Sequence, residues 1–241
     1  MGKIFALTSG KGGVGKSTVS VGLALSFSKM GYKTLVVDMD EGLRCLDLML
    51  GVDNEIVFDL SDILQGKEIG DAVYEINQNL FLIPAPQKSG MIDAFNLANF
   101  ANAVNDLYDI IVYDFPAGID FSLYSSLPKS TLFLTVAFPD AISVRDAAVV
   151  SDLLAKQGLS SKLIINRFQY KLSSKKAFKS IDDIIDEAAL QLVGIIPESH
   201  SFTLISCGIL PKTASKPMKA FTRITKRLLG QNVLLPKIKK I

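Results

Sequence analysis

Ile4-Phe5-Ala6-Leu7-Thr8-Ser9-Gly10-Lys11-Gly12-Gly13-Val14-Gly15-Lys16-Ser17-Thr18 opens the chain and decides its fold. The first five residues are apolar on both faces, as a strand covered by helices on both sides must be. Residues 10–17 fit G-x-x-x-x-G-K-[ST], and a helical pattern runs over residues 16–30. A strand, a glycine turn and a helix in that order form a phosphate loop. Its glycines let backbone N–H groups turn inward, and the helix N-terminus adds the positive end of its dipole. Gly10, Gly12, Gly13, Val14 and Gly15 would supply the cradle. Lys16 would reach the β- and γ-phosphates, Ser17 would place its hydroxyl on Mg²⁺, and Thr18 is close enough to touch a phosphate.

Outward from this stretch, further buried-strand runs fall at 34–38, 80–84, 110–114, 131–137, 162–166 and 192–196. Helical patterns lie between them near 91–106, 143–157 and 181–188. This alternation predicts an α/β fold: a doubly wound, mostly parallel sheet with helices on both faces. Ligands in such folds bind beyond the carboxyl ends of the strands. Two of those ends carry acids. Leu35-Val36-Val37-Asp38-Met39-Asp40 runs from a buried strand into a cluster of acids, and Ile110-Ile111-Val112-Tyr113-Asp114 runs from one into a carboxylate suited to a magnesium shell. Asp38 can also be read as a strand-end cap of the next turn, and Asp47 as a cap.

The chain has 241 residues, 49% hydrophobic and 21% charged, enough for one packed domain over residues 1–230 with a short tail at 231–241. Its two cysteines, Cys45 and Cys207, form no CxxC pair, which argues against a zinc site or a disulfide framework. The only histidine, His200, reads as a surface residue. No apolar run reaches the roughly 20 residues that span a bilayer, and the N-terminus enters a strand without a signal-peptide layout. A cytoplasmic location is the expectation. The net charge of +2 conceals an asymmetry: Glu198 is the last acid, and nine of the 26 Lys and Arg lie beyond it. A basic end on an acidic body points to an anionic partner: lipid head groups, nucleic acid or an acidic face of the protein itself.

Lys11 goes beyond a generic phosphate loop. The run Lys11-Gly12-Gly13-Val14-Gly15-Lys16-Ser17 resembles the deviant loop of the MinD/ParA class of ATPases, KGGxGK[ST]. Asp38-Met39-Asp40-Glu41-Gly42-Leu43-Arg44-Cys45-Leu46-Asp47-Leu48 resembles the D-x-D-x-G-L-R-N-L-D-L segment of its MinD branch, with Cys45 in place of Asn. Asp114-Phe115-Pro116-Ala117-Gly118 resembles the D-x-P-A-G switch II, with Phe115 in place of a small or polar residue. Residues 139–146 (PDAISVRD) and 180–186 (SIDDIID) are similar to PEVSSVRD and SVDDVID, so the likeness runs over residues 1 to about 230.

This resemblance implies an ATP- and Mg²⁺-dependent ATPase that forms a homodimer when ATP is bound. Lys11 would cross to the partner's nucleotide as an arginine finger does, or else remain a solvated loop lysine. Asp40 would position the attacking water. Asp38 and Asp114 would hold the water shell of the metal, and the Gly118 N–H would sense the γ-phosphate. Asn166, with Arg167, would bond the adenine edge, and Pro197 and Glu198 would border it. Expected partners are a MinC-like division inhibitor, a MinE-like topology factor and an anionic membrane at the inner face of the cell membrane.

Met218, Phe221, Ile224 and Leu228 recur at helical spacing, as in a last helix docked on the body and ended by Gly230. Beyond it, Leu234, Ile238 and Ile241 with Leu235, Lys237, Lys239 and Lys240 look like a shortened membrane-targeting helix, or a frayed end. Two other roles stay open: a ParA-like nucleoid or DNA-cargo ATPase, in which the basic end binds phosphates, and a MinD-like flagellar-number regulator. ParA relatives usually lack G-L-R-x-L-D-L, which makes nucleic acid the lesser partner. An iron–sulfur role lacks its paired cysteines.

Overall fold

A computed structural model describes residues 2–174, 179–205, 207–209 and 215–237. In chain order the elements are β1 (Lys3–Thr8), α1 (Lys16–Lys29), β2 (Thr34–Asp38), α2 (Leu46–Leu50), α3 (Leu60–Leu64), β3 (Tyr74–Asn77), β4 (Leu80–Ile83), α4 (Ala94–Val104) and β5 (Ile110–Asp114). There follow α5 (Phe121–Ser126), β6 (Leu132–Ala137), α6 (Ala141–Lys156), β7 (Ser161–Phe168), α7 (Tyr170–Ser174), α8 (Ile181–Ala188), β8 (Leu192–Pro197), α9 (Ser201–Ile205) and α10 (Lys216–Leu228).

The strands form one sheet in the order β3-β4-β2-β5-β1-β6-β7-β8. Seven strands pair in parallel, and β3 joins β4 antiparallel at one edge. The sheet is the doubly wound one expected from the sequence. β3 was not expected: its residues alternate half-buried and exposed over only four positions, the pattern of an edge strand. Alternation also explains the two layers. On β1, Phe5 and Leu7 join one apolar cluster and Ile4 and Ala6 the other, because successive strand side chains point to opposite faces. Chain excursions run to both sides of β1, which lies between β5 and β6, so the strand order reverses at its carboxyl end.

Helix α1 lies under this reversal and is buried along nearly its whole length. Helix α10 docks against it and against β8 through Met218, Phe221 and Ile224. Its start is capped by Ser215, and Gly230 follows its end with φ +86. The helix expected over 91–106 starts later, at Ala94, where Asp93 caps it by accepting from the Asn96 N–H. The preceding Gly90, Met91 and Ile92 amides instead donate to the Glu41 carboxylate at 2.9, 2.7 and 2.7 Å.

Candidate nucleotide site

Residues 10–18 join β1 to α1 at the reversal. Gly15 has φ +85, and a Cβ there would come within 2.4 Å of Asn166 Nδ2, so the turn requires glycine twice over. The start of α1 differs from most helix starts of this chain. Asp59, Asp93, Asp120, Asp140, Ser180 and Ser215 each cap a helix with a side-chain oxygen. At α1 there is no side-chain cap and no acid in the first turn. Its first N–H groups are left for an anion. They open into a cleft of about 610 Å³ lined by Ser9, residues 11–18, Asp40, Leu43, Cys45, Leu48, Met49, Pro116 and Ala117.

Asp38 and Asp114 end neighbouring strands and are register partners, both fully buried. Asp114 Oδ1 accepts from the Ser20 hydroxyl at 2.7 Å and lies 3.6 Å from Lys16 Nζ, while Oδ2 has no partner. A buried carboxylate oxygen without a donor is costly, and a cation with its water shell fits that need. Asp38 accepts three backbone N–H bonds, from Asp40 on Oδ1 (3.0 Å) and from Cys45 and Leu46 on Oδ2 (3.1 Å each). It therefore caps α2 as well as facing Asp114. Burial, and then the charge of Asp114, push it up to about 7 against those N–H groups. Burial also raises Asp40, against the pull of Lys16.

A second recess of about 270 Å³ shares Gly15 and Thr18 with the cleft and adds Asn166, Arg167, Glu198, Ser199 and Phe202. Asn166 Nδ2 donates to the Val14 carbonyl at 2.8 Å, and its Oδ1 is buried without a partner. The side chain thus keeps an acceptor free for a ligand. Arg167 sits at φ 56, and its Nε donates to Glu198 at 2.7 Å. Pro197 is buried at the end of β8, in register with Phe168.

A protein-family model described as the CobQ/CobB/MinD/ParA nucleotide binding domain matches residues 5–209. The septum site-determining protein MinD of Helicobacter pylori is 34% identical over 97% of this chain and 92% of its own length. This chain belongs to the MinD family of septum site-determining proteins. Among solved structures, MinD in the MinC:MinD cell division complex of Aquifex aeolicus has a TM-score of 0.88 at 30% identity, covering 98% of this chain and 99% of that one. The Pyrococcus horikoshii MinD complexed with Mg-ADP has a TM-score of 0.81 at 28% identity, over 95% and 96%. The matched model is that of a nucleotide-binding domain in a family of P-loop ATPases, and the uncapped helix start suits a phosphate.

Within this MinD-family chain, the structure brings Lys11, Lys16, Ser17, Thr18 and Asp40 to one cleft, with Asp38 and Asp114 beneath it. Lys11 is exposed at the lip. The Gly118 amide is not turned to the cleft: it donates to the Ser9 carbonyl at 3.0 Å. To meet a γ-phosphate in the cleft, this amide would have to leave that bond. Asp47, read as a cap, lies in the first turn of α2, where its Oδ1 accepts from the Leu48 N–H at 2.8 Å and its Oδ2 pairs with Arg44 at 2.6 Å. Cys45 lines the cleft beside Ser17. Burial, and then Asp38, push its thiol up to about 12, so it stays neutral. Phe115 faces away from the cleft and packs on Tyr124, with ring centroids 4.8 Å apart. Ser20 was missed, although it sits one turn after Lys16 on the same helix face.

The tail begins without regular structure over residues 231–237, with Leu234 84% and Leu235 42% exposed and Lys237 also exposed. Ile238, Lys239, Lys240 and Ile241 lie outside the described residues. Among the described residues, no helix is long and apolar enough to cross a membrane.

Proposed function

We propose that this MinD-family chain is an ATP-hydrolysing switch that dimerises with ATP and then associates with an anionic membrane surface to set the division site. The observation that carries this reading is the uncapped start of α1, facing a cleft whose floor holds an unpaired carboxylate oxygen of Asp114. The Mg-ADP named with the Pyrococcus horikoshii relative and the MinC named with the Aquifex aeolicus one support it.

Residues 10–15 and the first amides of α1 wrap the phosphates, and Lys16 neutralises the β- and γ-oxygens. Asn166 Oδ1 accepts from an exocyclic amine, which adenine has at that edge and guanine lacks. Thr18, Arg167, Pro197 and Glu198 border the base side. Ser17, with Asp38 and Asp114 through water, would hold a magnesium ion, which would supply positive charge beside the transferring group. Asp40 accepts a hydrogen bond from the attacking water and orients it. Lys11 of a second copy supplies positive charge from across the dimer. Leu234, Leu235, Ile238 and Ile241 enter the head-group region, with Lys237, Lys239 and Lys240 on anionic lipid. One short tail binds weakly and two in a dimer bind well, because the second contact is intramolecular. A MinC-like inhibitor and a MinE-like factor are the partners, at the inner face of the cell membrane.

Light scattering after size exclusion of Asp40→Ala tests the switch: a dimer is expected with Mg-ATP and a monomer with ADP. Vesicle pelleting tests the tail, with the full chain in ATP expected to exceed both the full chain in ADP and a 1–233 truncation. Equal pelleting in all three refutes the membrane step. Magnesium-dependent ATP affinity that survives Lys16→Ala refutes the site.

A further inference from the structure

A chain of hydrogen bonds ties the phosphate loop to residues 116–118 and has no part in the reading above. Tyr124, in α5, is 1% exposed. Its ring stands edge-on to Phe115 at 4.8 Å and tilts against Phe133 at 5.1 Å. Its hydroxyl donates to the Gly118 carbonyl at 3.1 Å and lies 2.8 Å from Thr8 Oγ1. With its one proton committed to Gly118, the phenol accepts from Thr8, the buried last residue of β1. The Gly118 N–H donates to the Ser9 carbonyl at 3.0 Å, and the Ser9 hydroxyl to the Lys11 carbonyl at 3.0 Å. Gly118 is held on both sides.

We infer that Tyr124 is a positioning residue whose hydroxyl, seated on Thr8, latches residues 116–118 onto the phosphate loop and keeps the Gly118 amide from a ligand in the cleft. The inference rests on the reading of the cleft as an ATP site. A triphosphate that recruits the Gly118 N–H must first open the latch, and a diphosphate that stops short of it need not. The latch thus lowers the population competent for triphosphate and leaves diphosphate binding alone. It sets how far ATP must exceed ADP before the chain changes state.

Tyr124→Phe keeps the ring and deletes the hydroxyl, and Thr8→Val removes the seat. By the net worth of one hydrogen bond, Tyr124→Phe should bind the magnesium complex of a non-hydrolysable ATP analogue about 3- to 10-fold more tightly, with ADP affinity unchanged. Thr8→Val should move the same ratio in the same direction, and the double variant should fall short of the product of the two. In the nucleotide-free protein the Gly118 amide should exchange with solvent faster in Tyr124→Phe by a similar factor. A role in packing alone would move both nucleotides together. An unchanged ratio of the two affinities overturns the inference, and so does unchanged exchange at Gly118. If the wild type binds no Mg-ATP, the nucleotide reading fails, and the exchange rate alone decides the latch. If Tyr124→Phe does not fold, Thr8→Val carries both measurements.

Discussion

A single methyl group at Gly22 measures how tightly the phosphate-loop helix is clamped to the last helix. Gly22 lies in the middle of α1, and a Cβ there would stand 2.2, 2.3 and 2.6 Å from Cζ, Cε2 and Cε1 of Phe221 in α10. Carbon atoms in ordinary contact sit at about 3.5–4.0 Å, so the ring must withdraw by roughly 1.3 Å or more. It has little room: Phe221 is fully buried, with Phe202 edge-on at 6.1 Å. Two effects compete in Gly22→Ala. Alanine in a helix interior gains about 1 kcal/mol over glycine. Overpacking a filled core costs about 1–3 kcal/mol, and a clash with a ring this confined belongs at the upper end. The clash wins, and a net loss of about 2 kcal/mol is expected. For a domain of this size that lowers Tm by roughly 4–8 °C. Guanidinium unfolding should show the lower midpoint with an unchanged m-value. Phe221→Leu alone also destabilises by leaving a gap, but in the double variant the methyl fills part of it. The pair should couple by about 1–3 kcal/mol. Gly22→Ala at or above wild-type stability, or strictly additive losses, would show that α10 yields freely and would refute the clamp.

Asp38 gives a pH signature in the nucleotide-free protein. Its folded value of about 7 lies above the unfolded one, so its contribution to stability is complete below about pH 4 and is lost as pH rises through 7. Urea midpoints should fall between pH 5 and 7 and level off above, by at most ~4 kcal/mol; Asp38→Asn should flatten that slope, and an equally steep slope in the variant would assign it elsewhere. Asn166→Ala removes the acceptor facing the recess, and the preference for ATP over GTP in competition binding should drop about tenfold, an energy of ~1.4 kcal/mol; an unchanged preference refutes base reading by this residue. Ser180→Ala breaks the capping box of α8, in which Ser180 and Asp183 each accept the other's backbone N–H, and should cost about 1 kcal/mol by chemical unfolding without changing ATP affinity.

Seven of the eight strands were legible because their apolar runs are buried on both faces, a signal that needs no tertiary context. The short helices were not. The start of α2 is capped from β2 by Asp38, eight residues before Leu46, so no local cap marks it. The capping box of α3, Asp59 with Asp62, was present in the sequence and went unread. The phosphate loop could be read residue by residue, because its chemistry is local. The direction of Phe115 was also legible in principle: it shares a strand face with Tyr113, opposite Asp114, and both aromatics are buried. What sequence reading could not reach were bonds across long separations. Tyr124 meets Thr8 across 116 residues and Asn166 meets Val14 across 152. Neither pair has a spacing rule; each exists only once the sheet order is set.

That order does the chemical sorting. β5 is inserted between β1 and β2, although it comes far later in the chain. The insertion puts Asp114 beside Asp38 in register and one strand from the Ser9 carbonyl. Were β2 paired directly with β1, Asp38 would face the loop alone and Asp114 would end an outer strand. The cleft would then hold a phosphate cradle with no second carboxylate under Lys16 and no Gly118 to bridge to Ser9. The side chains of Ser20 and Lys16, one helical turn apart, both reach Asp114 and tie α1 to the end of β5. α1 in turn is wedged on Phe221 of α10, whose end leads into the exposed Leu234 and Leu235. Packed contacts thus run from the phosphate loop through α1 to Phe221 of α10, and Gly22→Ala, which wedges the two helices apart at their close approach, tests whether nucleotide acts on the tail by this route: vesicle pelleting should then lose its dependence on ATP over ADP.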